Sequence, residues 1–303
     1  MIGRPRQICL SAGALCAWLV SAGANAAPQT FNTALPVAQD TFVFRGQFLY
    51  RKASDNSSPA GGTVEVRGAV SVLGYGVTGK FAAFAALPYL DKTLARAATG
   101  GARIARGASG FGDARLFGRY TAFRDDAPGR TFRIAPFAGI EMPTGDDNDS
   151  DGQGRLPAML QPGSGSWDPF GGVVVTYQAL AYQIDAQALY KANTRANGFA
   201  FGDEARLDVS VQYRLGPRAL GAGSTAFLYG VLEGNLLHHA RDAVAGVDDP
   251  DSGGTAFFLS PGMQYVTRRW IAEAVVQVPL VQDLNGDALA DDIVVRAGFR
   301  INF

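Results

Sequence analysis

The chain alternates. From residue 204 to 215 every second side chain is polar or charged: Glu204, Arg206, Asp208, Ser210, Gln212 and Arg214. The intervening ones, Ala205, Leu207, Val209, Val211, Tyr213 and Leu215, are apolar. A period of two is the side-chain period of an extended strand, whose neighbours point to opposite faces. The pattern returns in Tyr182 to Lys191 and again in Ile293 to Phe303. A soluble sandwich alternates as well. Here, however, charges occupy mid-strand on one face while the other stays apolar to both ends. A strand with lipid outside and a polar or watery interior has that property.

Twelve such segments can be placed, near 41–52, 63–75, 80–91, 112–124, 131–142, 168–179, 182–193, 204–215, 225–237, 255–267, 269–280 and 293–303. Each is close to the ~9–11 residues of a tilted membrane-spanning strand. The connectors alternate between short and long, as periplasmic turns and extracellular loops do. The reading is an all-β fold, a transmembrane antiparallel up-and-down barrel of twelve strands over residues 41–303. Closure is required, because an open edge in lipid leaves backbone groups unpaired at several kcal/mol each. Aromatic residues at segment ends, such as Phe42, Tyr89, Tyr177, Tyr182 and Trp270, suit interfacial girdles. Pro88, Pro136, Pro261 and Pro279 fall within segments, where each removes a ladder donor and calls for a bulge or rim position.

The first 26 residues read as a cleaved signal peptide. Arg4 and Arg6 precede an apolar run from Ile8 to Val20, and Ala24-Asn25-Ala26 supplies the small-x-small cleavage pattern. The run is too short to span a bilayer as a helix. Both cysteines, Cys9 and Cys16, leave with it, and so do two of the 27 basic residues, which stand against 27 acidic ones. Residues 27–40 then form an N-terminal segment expected in the periplasm. With 47% apolar residues and only 18% charged, the chain is not disordered. Its charge balance gives no basic footprint for nucleic acid.

A family resemblance rests on particular residues. Gly110-Phe111-Gly112-Asp113 opens the fourth segment, and Pro143-Thr144-Gly145-Asp146 follows the fifth. Gly163-Ser164-Gly165-Ser166-Trp167-Asp168 leads into the sixth, Phe201-Gly202-Asp203 opens the eighth, and Asn285-Gly286 lies in the last loop. In this order and spacing the chain resembles the outer-membrane family named for the meta-pathway of phenol degradation. Its ending on Phe303 within an alternating strand is likewise similar to Gram-negative outer-membrane barrels, whose last residue is presented to the barrel-assembly machinery. The resemblance implies a barrel in the cell outer membrane that moves small, often hydrophobic or aromatic, molecules inward. It implies no catalytic residues. Gly-Asp pairs suit tight entry into a strand, since glycine accepts unusual dihedrals and aspartate bonds nearby backbone.

Strand phase puts Arg45, Arg67, Arg115, Arg119, Arg133, Glu141, Asp185, Glu204, Arg206, Asp208, Glu273, Arg296 and Arg300 on the inner face. Such residues can select solutes in a pore, or pair with one another and fill a narrow barrel. No cofactor is expected. Asp147, Asp149 and Asp151, followed by Gly152, match the first half of a calcium loop, but Ala158 stands where the closing acid belongs. These loops are solvated acidic tips, or they hold calcium, alone or bridged to lipopolysaccharide. The long 143–167 loop is expected to fold in and narrow the mouth. Three functions follow. The first is passive passage of small molecules. The second is a non-conducting structural or binding barrel that contacts lipid, lipopolysaccharide or calcium through its loops. The third is a hydrolase using His238 or His239 with Ser260, against which stands Ser260's inward phase.

Overall fold

In a computed structural model describing residues 26–54, 62–97, 103–217 and 225–303, twelve antiparallel strands close into one barrel. In chain order they are β1 (Phe42–Ser54), β2 (Gly62–Gly76), β3 (Phe81–Ala97) and β4, which runs in three pieces (Arg103–Phe111, Ala114–Tyr120 and Phe123–Ala127). There follow β5 (Arg130–Met142), β6 (Asp168–Ala179), β7 (Tyr182–Lys191), β8 (Glu204–Gly216), β9 (Ala226–His239), β10 (Gly254–Thr267), β11 (Trp270–Leu284) and β12 (Ala290–Asn302). Each strand pairs with its sequence neighbours, and β12 returns to β1 to close the ring. At the seam Phe42 N–H donates to the Phe303 carbonyl at 2.7 Å and Phe303 N–H to the Phe42 carbonyl at 3.0 Å. Both ends of the barrel chain therefore lie at the end that carries the short turns. Among the described residues no helix is long and apolar enough to cross a membrane.

The outer wall is apolar. Val209, Leu207, Leu232, Leu280 and Ile184 are exposed along it. Near the short-turn end sits a belt of aromatic pairs. Phe42 stacks on Phe303 (5.7 Å), Tyr265 leans on Trp270 (5.6 Å), and Tyr177 leans on Tyr182 (6.0 Å). Amphipathic rings at this height match a membrane interface. Pro279 stands opposite Phe258 beside a register shift, Phe257 pairing with Val281, so the lost ladder bond falls at a bulge.

Two boundaries differ from the sequence pattern. The β3–β4 ladder continues to Ala97 opposite Arg103, so much of the expected 92–111 loop is a hairpin extending the wall. β4 itself is interrupted at Gly112-Asp113 and at Thr121-Ala122. The first interruption has a clear cause. A Cβ on Gly112 would come within 3.0 Å of both the Pro162 carbonyl and the Pro88 ring, so only glycine lets the loop approach this closely.

The lumen is not empty. Residues 27–38 of the 27–40 segment expected in the periplasm lie inside the barrel against its polar inner face, and Ala26 lies there with them. Ala27 N–H donates to Gln264 Oε1 (3.2 Å), and Gln264 returns a bond to the Ala27 carbonyl (2.6 Å). Further along, Ala34 N–H donates to Thr176 Oγ1 at 2.7 Å. The segment leaves at the short-turn rim, where Asp40 adopts a positive φ and donates its N–H to the Gly76 carbonyl at 2.8 Å. Gly76 allows that passage, since a Cβ there would lie 2.0 Å from the Ala38 carbonyl. The segment carries no alternating pattern because its backbone bonds to side chains of the wall and not to a neighbouring strand.

Candidate functional site

The inner face is divided lengthwise. From β7 round to β1 it is lined with buried polar side chains, among them Gln183, Asp185, Asp208, Ser210, Glu233, Asn235, Gln264 and Glu273. This half seats the N-terminal segment. Glu233 is the principal anchor, taking Gln29 N–H at 2.6 Å, Thr30 N–H at 3.1 Å and the Thr30 hydroxyl at 2.5 Å. Arg45 completes it by donating to the Gln29 carbonyl (2.7 Å) while its guanidinium pairs with Glu273 (2.5 Å).

The opposite half, β3 to β6, turns aromatic rings inward. Phe84 stacks on Phe117 at 4.7 Å, and Phe117 meets Phe137 and Phe170 edge-on at 6.5 and 6.0 Å. Ala34 of the inner segment packs against Phe137, Ala135 and Val174. Between the segment and this wall lies a cavity of about 580 Å³, lined by Phe84, Phe117, Phe137 and Phe170 and by the cations Arg115, Arg119, Arg133, Lys191, Arg206 and Arg300. That volume lies within the range of small-molecule sites.

The charged residues sort accordingly. Arg45, Arg115, Arg119, Arg133, Glu141, Asp185, Glu204, Arg206, Asp208, Glu273, Arg296 and Arg300 all lie on the inward face. Most are tied into pairs. Arg115 is paired with Glu141, and Lys191 reaches the same carboxylate at 3.3 Å. Arg206 bonds Asp208 at 3.0 Å, Arg133 reaches Asp126 at 3.3 Å, and Asp185 is held by Thr176 and Gln183. Arg296 donates to Gln277 and Gln47. Arg67 is a correction. It stands opposite Tyr50 in the β1–β2 register, on the outer face, where it pairs with Glu65 at 3.1 Å. The rule that charge marks the inside fails on β2 because the lumen there is lined by Val64, Val66, Val70 and Val72, with the latter two on the cavity wall.

The motif residues gather into a knot at the long-loop end. Asp113 accepts Gly145 N–H at 2.9 Å and both the N–H and the hydroxyl of Ser164, at 2.6 and 2.7 Å. Thr144 Oγ1 accepts Ala114 N–H at 2.8 Å, and Gly163 N–H donates to the Asp146 carbonyl at 2.8 Å. Gly110 packs against Pro162 and Asp146, and Pro143 leads into this knot from the end of β5. The aspartate thus bonds a distant loop, not its own turn, and the glycine serves close approach, not an unusual dihedral. The 143–167 loop is fixed over β3 and β4, with Lys92 Nζ donating to the Gln161 carbonyl at 2.6 Å. The loop folds in at the long-loop mouth, its Gln161 carbonyl held by Lys92 on the inward face and Pro162 set beside Gly110, while the N-terminal segment obstructs the lumen further in.

The three loop carboxylates point apart. Asp151 is clasped by Arg106 at 2.7 and 2.8 Å, Asp147 accepts Asn197 at 2.5 Å, and Asp149 uses its backbone to bond Gln161. Among the described residues no group of three or more His, Cys, Asp or Glu side chains is placed to hold a metal ion. The histidine–serine pairing is also not assembled. His238 faces outward against Thr255 (2.9 Å), whereas Ser260 faces inward and bonds Asn235 (2.8 Å).

Sequence reasoning missed the aromatic wall and the inner segment. The wall had a signal, since Phe117 lies in phase with Arg115 and Arg119. The segment had none.

Comparison with known proteins places the architecture. An outer membrane channel from Pseudomonas putida F1 superimposes with a TM-score of 0.62 at 13% identity, covering 92% of this chain and all of that one. The translocator domain of the autotransporter NalP from Neisseria meningitidis gives 0.42 at 12% identity, covering 89% of this chain and 91% of the other. No curated protein sequence matches. The barrel is of the outer-membrane type. The model of the family described as "Putative MetA-pathway of phenol degradation" matches residues 43–277, which is most of the barrel, and the chain belongs to that family.

Proposed function

We propose that this barrel passes small hydrophobic or aromatic molecules across the outer membrane by passive diffusion, after a leader ending at Ala26 has been removed. One observation carries the reading. The lumen keeps a cavity of about 580 Å³, one side of which carries a row of inward-facing phenylalanine rings, Phe84, Phe117, Phe137 and Phe170, where a structural barrel would fill the space with paired polar groups. Burying an aromatic solute against such rings is favourable by roughly 25 cal/mol per Å² of apolar surface removed from water. The cations Arg115, Lys191 and Arg206, paired with Glu141 and Asp208 beside them, border the cavity and keep a polar approach to it. Residues 27–38 obstruct straight passage, so transit requires that segment to shift.

Flux into liposomes tests this. Refolded protein is expected to admit an aromatic solute such as phenol or naphthol faster than protein-free vesicles do. A variant lacking residues 27–38 is expected to add ionic conductance in planar bilayers. If neither protein moves solute or current, the non-conducting barrel is the better account.

A further inference from the structure

We propose that Arg119 and the ring pair Phe84–Phe117 form a binding site for an aromatic carboxylate. The inference deepens the channel reading and rests on it for the identity of the cavity. It also stands on geometry of its own.

Arg119 lies on the cavity wall, 6% exposed. Its guanidinium sits 4.9 Å over the centre of Phe84, and its Nη2 donates to the Leu35 carbonyl at 2.7 Å. Among the described residues no carboxylate lies within ion-pair distance of it. Its neighbours on the same wall differ: Arg115 and Lys191 share Glu141, and Arg206 has Asp208. A buried guanidinium with no carboxylate in contact, the acid acting on it (Asp185) lying beyond ion-pair distance, is costly, and a fork of five donors suits a carboxylate bound through both oxygens. The position of the aromatic group follows from the same geometry. Phe84 continues into Phe117 at 4.7 Å, and Phe117 presents its edge contacts to Phe137 and Phe170. A ring joined to a carboxylate on Arg119 would lie along this row, in the offset or edge-on contacts aromatic rings prefer. The cavity holds a solute of one or two rings. Such an occupant competes with the Leu35 carbonyl for the guanidinium, so that binding loosens one tie of the N-terminal segment.

The test is binding of 2-naphthoate and 2-naphthol to the full chain in lipid nanodiscs, measured by calorimetry against empty nanodiscs. Naphthoate is expected to bind at least ten times more tightly than naphthol. Arg119→Gln is expected to remove that preference by weakening naphthoate tenfold or more and naphthol less than threefold. Arg119→Lys should retain part of the preference, and Phe117→Leu should weaken both ligands together. Each variant is first checked for the heat-dependent gel shift of a folded barrel. Equal binding of the two ligands by the unaltered protein would overturn the site, as would equal losses in Arg119→Gln or no naphthoate binding at all. The channel reading fails separately, when naphthoate binds but crosses no liposome wall. If naphthol enters liposomes while naphthoate does not bind, only the carboxylate site is lost.

Discussion

Glu233 Oε1 accepts the backbone N–H of Gln29 at 2.6 Å, across 204 residues of chain. The carboxylate is fully buried, and its other oxygen takes two more bonds from Thr30. One wall residue thus holds two consecutive backbone donors of the segment that obstructs the lumen. In Glu233→Ala those buried donors lose their acceptor, at roughly 1–3 kcal/mol for each left unsatisfied. Single-channel conductance in planar bilayers is expected to rise severalfold, approaching that of a variant lacking residues 27–38. Unchanged conductance in both would show that the segment does not limit flow.

Asp113 holds the 143–167 loop by three bonds. Asp113→Ala removes all three acceptors at once. The loop is expected to be nicked by added protease at least tenfold faster in the folded protein, while the barrel keeps its heat-dependent gel shift. Equal cleavage rates would place the loop's anchorage elsewhere, for example at Lys92 and Gln161.

Val209 lies on the outer wall, 51% exposed, midway along β8. Val209→Arg is expected to cost ~2–4 kcal/mol in refolding titrations into lipid vesicles, as a cation near the bilayer midplane does. Leu180→Arg, in the short turn between β6 and β7, is expected to cost about 0–1 kcal/mol. Equal costs would mean that the wall is not bathed by acyl chains where the strand pattern puts them.

The Asp151 carboxyl, in the loop, is held below its ordinary value, first by its hydrogen bonds from Arg106 and then by the Gln153 N–H. A depressed acid stabilises the folded loop above its unfolded value near 3.8, and that contribution disappears as pH falls through the lowered folded value. The 150–155 hairpin is therefore expected to exchange its amide hydrogens faster, relative to intrinsic rates, once the pH drops below about 4. Asp151→Asn should abolish the pH effect, which local hydrogen exchange would show.

Much of the wall could be read from period-two spacing because lipid enforces it. β7, β8 and β12 meet apolar chains outside and polar groups inside, so their faces are unambiguous. β2 and β4 were harder. Their inward faces carry valine and phenylalanine, and the sign of the alternation weakens or inverts, which is why Arg67 was placed in the lumen and Phe117 went unremarked. The motif order around Asp113 was legible as a pattern but not as a contact, since Asp113 and Ser164 meet across 51 residues. The inner segment was hidden for a different reason. Its partners lie up to 237 residues away, and its backbone is satisfied by side chains whose amides and carboxylates are common on any polar inner face.

The lengthwise division of the inner face separates two properties that many channels must compromise. In the proposed channel, the residues that would meet a solute belong mostly to four consecutive strands, β3 to β6, whereas those that hold the obstructing segment belong mostly to the arc from β7 round to β1, with Thr176 of β6 and Arg119 of β4 reaching across. If the barrel conducts as proposed, substitutions along the phenylalanine row are expected to change which solutes bind with Glu233's hold on the segment unaltered, and changes around Glu233 to release the segment with the ring row unaltered.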